Sequence, residues 1–250
     1  MYEPPFNRST RITTRRAVDS ARRTDNQESG AIWETNAALQ EAAYGNAREA
    51  RQTAAEGLKL APSSQGAKNE AALAFAMAGE TVRAESLAQD LGRRFTQDTQ
   101  IRSLWMPAIR AQLALNKKNP TSALNALQAA SAIELGNIQF VTNTSCLYHV
   151  YIRGEAYLAA GEGAAAAAEF QKIIDHSGIV WNCWTGALAH LGVARANALQ
   201  VKGSPAQTAE ADAARVRALA AYKDFLTLWK DADPDIPILK EAKAEYAKLQ

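Results

Sequence analysis

Cys146, His149, His176, Cys183 and His190 are the side chains that could ligate a metal or serve nucleophilic chemistry. His176, Cys183 and His190 stand seven residues apart, and Cys146 lies close to His149 in the chain. Structural zinc needs thiolate and imidazole ligands clustered at CxxC- or HExxH-type spacing, and this pattern matches neither. No metal site is expected, and His190, on a helical apolar face, reads as a core histidine. Cys146 and Cys183 are too few for a disulfide framework and are expected as two buried free thiols.

Phosphoryl transfer needs a glycine-rich loop, a Lys–Glu pair, an HRD loop and a DFG metal ligand. Asp224-Phe225-Leu226 lacks the glycine and falls within a helix, and no HRD occurs. There is no GxSxG and no plausible Ser–His–Asp set. No catalytic residue and no cofactor are expected, so the chain reads as a non-enzyme. Trp181 and Trp184 flank Cys183 in GIVWNCWTG. They are expected to pack between neighbouring units, with an aromatic anchor for a partner as the alternative.

The elements that must position these residues are helices. Alanine is abundant and β-branched residues are sparse, which favours helix over sheet. A formal charge of +2 across 250 residues makes no electrostatic case for nucleic acid or an anionic membrane. Arg8, Arg11, Arg15, Arg16, Arg22 and Arg23 make the start locally basic and read as a solvated helix face. No run of 18 apolar residues exists, so no membrane span is expected in this chain. MYEPPFNRST lacks the apolar core of a secretory signal. A cytoplasmic chain is expected on these grounds, or an extracytoplasmic one if a membrane span lies upstream.

A helix-pair pattern recurs along the chain. Gly45 and Ala50 mark a tight turn and the helix after it, and Gly79 and Ala84 repeat the pair 34 positions on. That period belongs to tetratricopeptide repeats (TPRs). Units are expected at 31–64, 65–98, 100–131, 147–178 and 185–232. Residues 1–10 are expected as a disordered tail, 11–250 as one array, and 236–249 as a capping helix with Asp235 as N-cap. Pro107 is expected in the first turn of its helix, where proline is tolerated. The segments 132–146 and 202–217 break the period: the first as an irregular loop, the second as a stretched turn and lengthened helix. The whole is expected to be an all-α, right-handed solenoid of about five helix pairs.

The second half carries a resemblance. GEAYLAAGEGAAAAAEFQKIIDHSGIV, GALAHLGVARA and AYKDFLTLWKDADPDIPILKEAKAEYAKLQ are similar to the C-terminal TPR region of bacterial, especially acidobacterial, eukaryotic-like serine/threonine protein kinases. Similar tails follow winged-helix DNA-binding domains in related multidomain regulators. The resemblance covers about residues 11–250 and is most specific from 147 onward. It implies an upstream kinase domain, often with one membrane span, and a C-terminal sensory or docking array. The stretch 202–217 departs from the family's shorter turn.

TPR geometry places the first helix of each pair on a concave wall. In register, that wall comprises Asn69, Trp105, Gln112, Tyr148, Tyr151, Glu155 and Asn197, together with Thr35, Leu39, Leu73 and Val193. The set holds no lysine or arginine, so a clamp for a terminal carboxylate is not expected. A neutral, partly aromatic groove suits a protein or peptide segment with apolar anchors. The expected function is a non-catalytic interaction or sensory module. The alternatives are an oligomerisation scaffold that self-associates, or a fragment of a kinase whose catalytic domain lies upstream.

Overall fold

The computed structural model describes residues 8–136, 146–203 and 208–250, and among these the chain is all-α. Helices α1 (Arg8–Arg23), α2 (Gln27–Ala43), α3 (Ala47–Leu60), α4 (Gln65–Met77) and α5 (Thr81–Arg94) follow one another through short turns. A π-helical turn, Ile101–Trp105, leads into α6 (Met106–Asn116), which is followed by α7 (Pro120–Leu127) and a 3₁₀ turn. Then come α8 (Tyr148–Ala160), α9 (Gly163–Asp175), α10 (Ser177–Val180), α11 (Trp184–Gly203), α12 (Ala209–Leu228) and α13 (Pro237–Leu249).

Helices alternate between two roles. α4 is buried almost all round, from Gly66 to Ala76, because α2, α3, α5 and α6 surround it. α5 buries only Ala84, Ala88 and Leu91, one stripe at helical spacing. The same contrast separates α2 from α3 and α8 from α9. Each first helix packs on its own partner and on the first helix of the next pair, so α2, α4, α6, α8 and α11 form one continuous row. Most of the buried apolar residues of that row, with Ile238, Leu239 and Ala242 of α13, belong to a single cluster.

The turns share one chemistry. Gly45, Gly79 and Gly161 take φ of 88°, 79° and 82°. At each, the following amide reaches back to a carbonyl of the last helical turn: Asn46 to Glu41, Glu80 to Phe75 and Glu162 to Tyr157. This left-handed helix stop satisfies carbonyls the helix leaves open, and glycine adopts it without a Cβ penalty. The α6–α7 turn has the same bonding, Asn119 to Ala114, but Lys118 holds the position at φ 56°. Asp25 repeats it between α1 and α2 at φ 54°.

Several expectations change. The helix expected from residue 11 begins at Arg8, while residues 1–7 lie outside the described ones. Arg11 is not simply solvated, since its guanidinium makes a paired contact with Glu41 at 2.7 and 2.9 Å. Pro107 does stand in the first turn of α6, as expected, but the π turn precedes it in a continuous helical run. There the Met106 amide reaches Ile101, and the widened turn accommodates a proline that would otherwise clash one turn back. The N-cap of α13 is Ile236 rather than Asp235, with no side-chain cap. Residues 204–207 of the stretched turn lie outside the described residues, and α12 is capped by Thr208, which accepts from the Ala211 amide.

The cysteines are not free. Cys146 and Cys183 form a disulfide with Cα atoms 5.5 Å apart, joining the approach to α8 with the approach to α11. The Thr185 hydroxyl donates to the Cys146 carbonyl at 2.6 Å beside it. Thirty-seven residues separate the two cysteines, and only the stacking of successive first helices brings them together.

Candidate partner-binding site

The aromatic residues of the expected wall do meet. Trp105, at the end of the π turn, lies 5.5 Å from the Tyr148 ring. Tyr148 stacks on Trp184 at 5.5 Å, and Tyr151 meets Trp184 edge-on at 5.0 Å. Three consecutive first helices thus contribute one aromatic row. Trp105 and Gln112 stay partly exposed, whereas Tyr148 and Tyr151 are buried behind them. Gln112 donates to Asn116, which in turn donates to the Ala76 carbonyl at 2.7 Å.

One turn further along α8 the wall becomes polar. Tyr151 shares a hydrogen bond with Glu155, and burial pushes both groups above their ordinary pKa values. One Glu155 carboxyl oxygen is buried without a hydrogen-bond partner. Arg195 of α11 faces this carboxylate and binds Glu245 of α13 through two nitrogens, each at 3.0 Å. Burial alone would lower the Arg195 pKa. The hydrogen bonds and charge of Glu245 outweigh it and raise the value. Tyr222 of α12 donates to the same Glu245 at 2.9 Å.

Other wall positions separate from this group. Asn69 is fully buried in α4, and neither side-chain polar atom has a hydrogen-bond partner. Thr35, Leu39 and Leu73 are fully buried as well. Asn197 and Val193 line a cleft of about 670 Å³ between α9, α11 and α12, on another face of α11. Asn197 donates there to the Val193 carbonyl and accepts from Arg217 at 2.8 Å. The register that places Asn197 on the wall is therefore corrected.

The wall is also not free of cations, since Arg195 belongs to it. Sequence reasoning missed Arg195, Trp184, Tyr222 and Glu245 as one group. The available signal was Arg195 itself, a lone cation in the small, apolar stretch GVARANAL, matched by Glu241 and Glu245 one turn apart. Trp184 is buried while Trp181 is 67% exposed, so the two tryptophans part company.

A second charged group anchors the start of the 132–146 loop. Glu134 is buried against Arg153 and Lys172, the latter at 2.8 Å, and Arg153 also holds Glu169 at 2.7 Å. Burial would raise the Glu134 pKa, but both cations hold it below its ordinary value. His149 lies beside this network, and burial lowers its pKa to about 4. Residues 137–145 of that loop lie outside the described ones.

Among the described residues no three His, Cys, Asp or Glu side chains gather as a metal site. No described helix is long and apolar enough to cross a membrane. Comparison with protein families and with curated proteins finds no match for this chain.

Proposed function

We propose that this chain is a non-catalytic protein-interaction module, built as a TPR-like right-handed solenoid that offers its row of first helices to a peptide or helical segment. The observation that carries this reading is the Trp105–Tyr148–Trp184 row, with Trp105 and Gln112 left accessible at its edge. Aromatic side chains that are pre-packed lose little freedom on binding, so they suit a recognition surface. The repeated left-handed turns and the packing of each first helix on the next support the repeat architecture. The resemblance to the C-terminal arrays of bacterial serine/threonine kinases supports a signalling context. The Cys146–Cys183 bond favours work in an oxidising compartment.

The test is affinity capture on the immobilised chain, followed by isothermal titration of each recovered partner. Binding that weakens at least tenfold with Trp105→Ala, in a chain of unchanged circular dichroism, is the expected result. No partner at all for a folded chain, or full indifference to Trp105, would overturn the reading.

A further inference from the structure

The helix that closes the chain occupies a seat that has the properties of a binding site. At its N-terminal end, Ile238 and Leu239 are buried, and the Ile238 amide donates to the Tyr44 carbonyl at 3.2 Å. Further along, α13 is held by charge: Arg195 contacts Glu245 at 3.0 Å and Glu241 at 3.3 Å, and Tyr222 donates to Glu245. The opposite face, with Lys240, Lys243, Ala244 and Lys248, is exposed. The connector before α13 carries exposed Asp231, Pro234 and Asp235, while Trp229 at the end of α12 is buried on its own contacts with Phe225 and Tyr44.

Resting on the reading of the chain as an interaction module, we propose that this seat is exchangeable. Its external ligand is an amphipathic helix with an Ile–Leu anchor near its start and two glutamates one turn apart, which replaces α13. Charge complementarity selects that chemistry. Lifting α13 away would take Glu245 and Glu241 from Arg195, leave Glu155 beside it, and uncover the Tyr44 carbonyl that now accepts from the Ile238 amide. The fused helix competes at high effective concentration, so an outside helix gains access when the Arg195 contact is weakened.

The probe is a fluorescent synthetic peptide of residues 234–250, titrated by anisotropy into the full chain. Glu245→Lys in the chain loosens α13 without altering an apolar contact, and Ile238→Ser loosens the other end as a second variant. At least tenfold tighter peptide binding to either folded variant than to the unaltered chain is expected. Adding Arg195→Glu abolishes that gain, and so does Glu245→Lys placed in the peptide. Equal binding to the unaltered and loosened chains, or binding indifferent to Arg195, overturns the proposal. If that happens while the captured partners still depend on Trp105, the interaction reading stands and only the exchangeable seat falls.

Discussion

The Ile238 amide donates to the Tyr44 carbonyl at 3.2 Å, tying the last helix to the turn that ends α2. Beside this bond Pro237 packs on Gly45, where an added Cβ would come within 2.9 Å of the proline ring. The edge-on Tyr44–Trp229 pair at 4.8 Å completes the contact. The last helix and the α2–α3 turn therefore stabilise each other.

Ile238→Ala is expected to cost about 2–4 kcal/mol, the range for a truncated buried aliphatic side chain. Hydrogen exchange locates the loss. Amides at the end of α2 should lose protection along with those of α13, whereas loss confined to α13 would mean that the two are independent.

Phe170 lies between two glycines. A Cβ on Gly154 would stand 2.7 Å from its ring, and one on Gly192 would stand 2.5 Å away. Because Phe170 is fully buried, it has little room to retreat. Gly192→Ala should destabilise by about 1–3 kcal/mol through overpacking. Combined with Phe170→Leu, the loss measured by denaturant titration should be smaller than the sum of the two singles, since they share one contact.

Lys118→Gly should stabilise the chain by about 1 kcal/mol, because a left-handed non-glycine residue bears a Cβ penalty that glycine lacks. Greater freedom of glycine in the unfolded chain offsets part of the gain. The measurement is the urea midpoint, and a lower midpoint would show that Lys118 makes a compensating contact.

The stability of the chain should fall in mild acid. His149 titrates at about 4 when folded and near 6.5 when unfolded, so the unfolded state takes up the proton first. The contribution is fully present above about pH 6.5, is lost as pH falls toward about 4, and amounts to about 3 kcal/mol. Glu134, depressed by Arg153 and Lys172, adds a further loss below its ordinary range. Urea midpoints from pH 7 to pH 4 should slope downward, and His149→Gln should flatten the upper part of that slope.

Reduction of the Cys146–Cys183 bond should lower stability by about 2–4 kcal/mol, the effect expected when a closed loop of this length is released. A reduced and an oxidised sample with the same thermal midpoint would contradict it.

Much of the helical layout was legible before folding. Gly45, Gly79 and Gly161 announce turns because a left-handed backbone is a local demand that a single residue type meets best. Ala50, Ala54, Ala84 and Ala88 announce a packed stripe because their spacing alone defines a helix face. Lys118 was opaque for the same reason: it adopts the turn without advertising it.

The candidate site divides similarly. Tyr148, Tyr151 and Glu155 share one face of one helix, so their neighbourhood followed from helical spacing. Asn197 did not follow, because a register read along α8 does not carry over to α11, whose rotation is set by what it packs on. Phe170 chooses Gly192 as its neighbour, which turns Asn197 toward α12 and Arg195 toward α13.

The sequence by itself determined that the chain is helical, where most of its turns fall and which stripes are buried, since each depends on residues a few positions apart. The tertiary structure decided that Cys146 meets Cys183, that Arg195 meets Glu245 and that Ile238 meets Tyr44. Those pairings join distant parts of the chain, and their geometry is the accumulated result of every helix packed between them.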